Sequence, residues 1–429
     1  MIEPAQNEDS MSNREQASRS GGDAAGEIPE PARLAVARPS RRPVRWSAHR
    51  RRDAWLLLMA FLVGIVTIVA LSGGITQRPT QVQGTQPGRA SLAPSQTQAD
   101  TPSTILAIGT FREYPLPQPN DGLMRLAIDH EGRLWFGEMN HNFLAVFDSR
   151  TQVFQQWTPP GGKYGMMGIQ VASDDTVWFA EQYANYIGHY FPATGHYQLY
   201  HLPMITVPDP GNPGKTLSLP VAPNDLALDG RGNAWFTEVN AGALGRLNTH
   251  TGLVQQYPLA SKKDAQEVAP YGVTVDRQGM VWFTETGGNH IGRLDPATGG
   301  IRLYTPPGPT AALMEIASDA RGIVWATSFT GNRLLSLDPS TGVFTTYAVP
   351  SATGNGGAAL YGLVVTPGND VWVTVSAESA IARLDVAARR FTSYRIPTDS
   401  SLPISIVEGA NHTLWFTEAG SDKIGMVQS

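Results

Sequence analysis

The chain has 429 residues, no cysteine, and a formal net charge of -5 from 32 Lys plus Arg against 37 Asp plus Glu. The lack of thiols excludes disulfides, thiolate zinc sites, iron–sulfur clusters and a cysteine nucleophile. The acidic balance excludes an electrostatic nucleic-acid binder, so no nucleic-acid partner is expected.

Residues 1–53 are polar and lack the apolar content to fold alone, which predicts a disordered tail. Between Ala32 and Asp53 the tail carries eight Arg against one acid. Residues 54–72 then read AWLLLMAFLVGIVTIVALS, nineteen residues without a charge and long enough to cross a bilayer as one helix. The preceding Arg cluster places the N-terminus in the cytoplasm and everything after Gly73 outside. A cleaved signal peptide is the alternative, since Ala70, Leu71, Ser72 and Gly73 form a small-residue stretch. Residues 73–103 are rich in Gln, Thr, Pro and Ser and predict a flexible linker.

From residue 104 to 429 a repeat organises the chain. Seven of the ten Trp fall at 135, 178, 235, 282, 325, 372 and 415, spaced by 43, 57, 47, 43, 47 and 43. Each unit has four short apolar or alternating runs, as in Tyr271–Asp276, Val281–Glu285, Ile291–Asp295 and Ile301–Pro306. Asp-x-x-Gly and Asp-Pro-x-Thr-Gly turns separate them. These are strand and hairpin signals. Four strands in units of this length predict an all-β, seven-bladed β-propeller, preceded by one transmembrane helix. Phe111–Leu116 is a spare outer strand and the last unit lacks one, so the N-terminal strand is expected to close the ring. The long segment between Leu202 and Asn224 reads as a lid over the funnel or as an inert insertion.

Features repeated in every blade read as scaffold. The Asp129–Gly132, Asp229–Gly232, Asp276–Gly279 and Asp319–Gly322 turns are expected to bond their own backbone rather than calcium. Glu138, Glu181, Glu238, Glu285 and Glu418 end five Trp strands and read as local acceptors, with Glu238 and Glu285 as weak metal candidates. Among the histidines, His141 and His290 follow Trp strands and are the plausible reacting ones.

A site for one ligand should break the repeat. At the start of the inner strand one position reads Met124, Met167, Asn224, Tyr271, Met314, Tyr361 and Ile404. The next reads Arg125, Gly168, Asp225, Gly272, Glu315, Gly362 and Ser405. Inner strands line the channel, so Arg125, Asn224, Asp225, Tyr271, Glu315 and Tyr361 are the candidate ligand-binding residues. A salt-bridge network holding the blades together is the alternative reading.

Trp282-Phe-Thr-Glu285, Asn289-His-Ile-Gly-Arg-Leu294 and Tyr114-Pro-Leu-Pro117 resemble the streptogramin B lyase (virginiamycin B lyase) family across all seven units. The resemblance implies a seven-bladed propeller and a C–O lyase that linearises cyclic depsipeptide antibiotics with Mg2+. It also implies catalytic His residues after Pro at inner-strand starts. Here those positions read Pro223-Asn224, Pro270-Tyr271 and Pro403-Ile404, and the catalytic set is not carried over to any residue. Three readings stay open: a recognition module for a small molecule, peptide or glycan; a diverged lyase with Mg2+; and a structural scaffold. The propeller is expected to be a monomer, held to the cell membrane through its one helix, on the extracytoplasmic side.

Overall fold

The computed structural model describes residues 109–428, apart from 162–164, 210, 213, 261–264, 310–311, 350–356 and 358. It also describes the backbone of three strands at 90–92, 95–98 and 104–107. The tail over 1–53 and the apolar segment 54–72 lie outside the described residues. Among the described residues no helix is long and apolar enough to cross a membrane.

The repeat folds as seven antiparallel sheets of at least four strands. Blade 4 illustrates the order from the axis outward: Pro270–Val275, Val281–Glu285, His290–Leu294 and Ile301–Tyr304. Among the described residues helix is limited to one turn at Ala265–Val268 and two 3-10 turns. The insertion after Leu202 is a hairpin of Met204–Pro208 paired with Thr216–Pro220. Ile205 packs against the core between blades 2 and 3, while Met204 and Leu217 are exposed.

Each repeated Trp is buried against the following blade. Trp235 packs on Val273, Val281 and Phe283, and Trp282 on Leu313, Ile316 and Val324. Trp415 of the last blade packs on Leu126, Leu134 and Phe136 of the first. A large apolar side chain buried this way contributes roughly 1.5–3 kcal/mol. The Asp-x-x-Gly turns also serve the Trp. Asp129, Asp229, Asp276 and Asp319 take backbone N–H groups of their own turns and the indole N–H six residues on. An indole N–H that enters a core needs such a partner.

The Thr of the Trp-Phe-Thr-Glu run stitches blade to blade. Thr284 Oγ1 accepts the Gly272 N–H of its own blade and donates to the Met314 carbonyl of the next. Thr237, Thr327 and Thr417 repeat the arrangement toward Tyr271, Tyr361 and Met124. Gly137 and Ala180 stand at this place in blades 1 and 2 and have no hydroxyl.

Residues from the N-terminal side run along the outer edges. The stretch 73–103, expected as a linker, contributes 90–92 and 95–98 as parallel fifth strands on blades 4 and 5. The strand at 104–107 does the same on blade 6. Strand Thr110–Pro115 then pairs antiparallel with Lys423–Gln428 as the outer strand of the last blade. An open outer edge offers unpaired N–H and C=O groups, and a strap of the same chain satisfies them.

Candidate functional site

A bulge in the inner strand positions the axis residues. In blade 4 the ladder to the Trp strand shifts between Pro270 and Val273, which takes Tyr271 and Gly272 out of register. Blades 1, 3, 5, 6 and 7 shift at the corresponding place. Bulges of this kind re-aim side chains, and here the first bulged residue faces the axis. Met124, Met167, Tyr271, Met314, Tyr361 and Ile404 form one apolar cluster, none more than 2% exposed. Asn224 completes the ring and donates its side-chain N–H to the Tyr271 carbonyl at 3.1 Å. The Tyr271 and Tyr361 hydroxyls are in direct hydrogen-bond contact.

The second bulged residue alternates around the ring. A Cβ on Gly168, Gly272 or Gly362 would lie 2.8, 2.6 or 2.5 Å from a carbonyl of the next blade, so these places admit only glycine. Between them stand Arg125, Asp225, Glu315 and Ser405. Asp225 Oδ2 accepts the Val273 N–H, and Ser405 Oγ accepts the Leu126 N–H, each across a blade boundary.

Arg125 bridges the two acids. Its Nε lies 3.2 Å from Asp225 Oδ1 and its Nη2 2.7 Å from Glu315 Oε1, with all three side chains largely buried. Its guanidinium carbon sits 5.2 Å from the Tyr271 ring centre. Burial works against the Arg125 charge, but Asp225 and Glu315 outweigh it and hold the group protonated. Two carboxylates face one guanidinium, so the charge does not balance. Burial therefore raises both acids, and Glu315 is pushed up to about 7. The six residues chosen from the sequence, Arg125, Asn224, Asp225, Tyr271, Glu315 and Tyr361, all converge on the axis and partner one another.

What lies against this floor comes from the ends of the Trp strands. Met139, Phe329 and Ala419 are half-buried and pack onto the axis cluster. Phe329 meets Tyr361 edge to face, with ring centres 6.2 Å apart. Thr286 and Ser376 donate to carbonyls of the next blade instead. With Gln182 and Val239 these are the residues that follow the seven Trp strands, and none is a carboxylate. That set does not fit a magnesium ion.

The rim glutamates are fully buried. Glu138 and Glu238 accept from Gln156 and Gln256 at 2.6 Å, Glu418 from Ser421, and Glu285 lies 2.7 Å from His290 Nδ1. Burial pushes Glu238 and Glu418 up to about 7 and Glu181 to about 8. Glu238 pairs with Gln256 and Glu285 with His290, and among the described residues three metal-ligating side chains gather at Asp121, Glu138 and His141. Asp121 precedes the inner strand Leu123–Ile128 and belongs to no repeated motif, so the sequence pattern does not mark it.

These features define a seven-bladed propeller whose axis is filled by apolar side chains and one buried ion-pair network. A model of the virginiamycin B lyase family matches residues 75–264. Virginiamycin B lyase from Staphylococcus aureus superposes with a TM-score of 0.64 at 25% identity, over 75% of this chain and 99% of that one. A streptogramin B lyase structure gives 0.63 at 25% identity, over 75% and 97%. A catalytically inactive S. aureus virginiamycin B lyase with quinupristin gives 0.64 at 25% identity, over 75% and 99%. No curated protein matches the sequence. The chain is thus similar to virginiamycin B lyase in sequence over 75–264 and in its propeller fold.

Proposed function

We propose that this chain is a membrane-anchored, extracytoplasmic recognition propeller that binds a peptide-like small molecule at the mouth of its channel without cleaving it. One observation carries the reading. The inner-strand positions hold Met, Asn, Tyr and Ile, buried and mutually packed, while half-buried Met139, Phe329 and Ala419 lie against them. A reacting group must reach its substrate, and these axis side chains are closed off. An apolar floor with a few polar groups beside it suits binding. Beneath that mouth Arg125, Asp225 and Glu315 form a buried charged layer and Tyr271 and Tyr361 an aromatic one, which fix the shape of the floor rather than touch the ligand. The similarity to a lyase solved with quinupristin supports a cyclic depsipeptide as the first ligand to try.

The test incubates the full chain, in detergent micelles with Mg2+, with a streptogramin B. Binding is read by calorimetry and the antibiotic by liquid chromatography and mass spectrometry. Saturable binding that Phe329→Ala weakens, with the antibiotic recovered intact, is the expected result. A linear isomer of unchanged mass would overturn it in favour of a second reading, a diverged lyase. The family match and the buried Glu285 beside His290 favour that second reading. A chain that neither binds nor converts the antibiotic argues for another ligand or for a scaffold.

The anchor reading rests on residues 54–72 and the Arg cluster before them. The chain has no cysteine, so single cysteines introduced in the tail and in the propeller can be labelled from either side of the membrane. Labelling of both from the same side would sink the single-pass arrangement.

A further inference from the structure

We propose that Asp121, Glu138 and His141 form a divalent metal site, with a donor set suited to zinc, on the face where inner strands begin and Trp strands end in blade 1. One ligand atom from each lies within 4.8 Å of the others. Asp121 and Glu138 are fully buried. The Glu138 carboxylate gives one oxygen to Gln156. Its Oε2 and the Asp121 Oδ2 are buried with no hydrogen-bond partner. His141 Nδ1 approaches Asp121 Oδ1 to 2.6 Å, yet neither atom makes an aligned hydrogen bond. Buried carboxylate oxygens without donors are costly, and a cation is the partner that relieves two at once.

The scaffold around them is tied down independently of any ion. Met139 N–H donates to the Gly122 carbonyl, Asn140 N–H to the Asp121 carbonyl, and His141 N–H to the Glu138 carbonyl. Asn140 also donates its side-chain N–H to the Asn120 carbonyl at 3.0 Å. Asp422, from the last blade, accepts the Asn120 and Asp121 backbone N–H groups at 2.9 and 3.1 Å. It adds a third carboxylate to the neighbourhood, which deepens the negative field. The loop carrying Asp121 is thus held against the end of the Trp strand, which carries Glu138, and the turn after it, which carries His141. Sites placed on such fixed elements bind with little reordering. One imidazole nitrogen with two carboxylate oxygens suits zinc better than magnesium or calcium, which favour all-oxygen shells. Three protein ligands leave a fourth position for water or a ligand group.

The test uses the full chain, free of a polyhistidine tag and treated with chelator, titrated calorimetrically with zinc chloride alone. Manganese and magnesium are run beside it. The expected result is saturable zinc binding, with one equivalent lost in His141→Ala and in Asp121→Asn and retained in the exposed-pair control His130→Ala. A higher melting temperature with zinc in the parent, and no such rise in His141→Ala, gives a second readout. His141 is part-exposed, so its removal decides the matter even if Asp121→Asn fails to fold. No saturable zinc binding by the parent overturns the proposal. So does parental stoichiometry in both variants, or binding of magnesium in preference to zinc.

Discussion

Arg125 Nη2 lies 2.7 Å from Glu315 Oε1, although the two residues are 190 positions apart in the chain. The contact joins blade 1 to blade 5 across the axis, and Asp225 of blade 3 holds the other side of the same guanidinium at 3.2 Å. Removing the cation strands two buried acids. Arg125→Leu is therefore expected to cost about 3–5 kcal/mol, the usual penalty for breaking a buried pair from one side. Chemical denaturation of the variant checks it. Replacing all three residues by apolar ones of similar size should recover most of the loss.

The Thr stitches predict a smaller, local effect. Thr417→Val keeps the shape but leaves the Ser405 N–H and the Met124 carbonyl without their shared partner. A cost of about 1–3 kcal/mol is expected for unsatisfied buried groups. The same change at Thr284 should behave alike, whereas Ala180→Thr in blade 2 tests whether a hydroxyl can add a stitch. Melting curves of the three variants separate these outcomes.

Stability should fall as pH rises from about 5 to 8. Burial raises the Glu181, Glu238 and Glu418 carboxyls from 4.5 to about 8, 7 and 7. Between the unfolded and folded pKa values the native state binds more protons than the unfolded one. Its stability therefore decreases with pH across that window and levels off above it. Melting temperatures measured at constant ionic strength should show the decline, and Glu238→Gln should make it shallower. A rising curve over the same range would contradict the assignment.

Deleting residues 104–117 removes the strand that pairs with Lys423–Gln428, together with Glu113, which bonds Lys423 and Thr398. It also removes Tyr114 and Leu116 from the core shared by the last and first blades. A markedly lower melting temperature is expected, with a tendency to self-associate through the uncovered edge. Calorimetry and size-exclusion chromatography read the two effects. An unchanged melt would show that the ring does not depend on this strand.

Much of the architecture is legible from local pattern. The Trp spacing, the Asp-x-x-Gly turns and the alternating runs each specify a strand or a turn through nearby residues, and the strands form where those signals lie. The axis residues were legible too, because Arg125, Asp225 and Glu315 interrupt positions that hold Gly or Ser in the other blades. Asp121 was not, since nothing in its neighbours marks it. The strands at 90–92 and 95–98 were not either, because Ala-Ser-Leu and Ser-Gln-Thr-Gln are too short to carry a strand pattern and they pair with the edges of the blades they join.

The sequence by itself determined that a β-rich repeat must bury its Trp faces against neighbouring copies. It also determined that Asn224, Tyr271 and Ile404, and no His, follow Pro at the starts of three inner strands. Only the tertiary structure decided who meets whom across the axis. It left one guanidinium between two carboxylates, closed the Met and Tyr floor, and set Asp121 beside His141. The physical reason is range. Strand and turn preferences act over a few residues, whereas these contacts depend on the closure of the whole ring, which no short stretch of chain encodes.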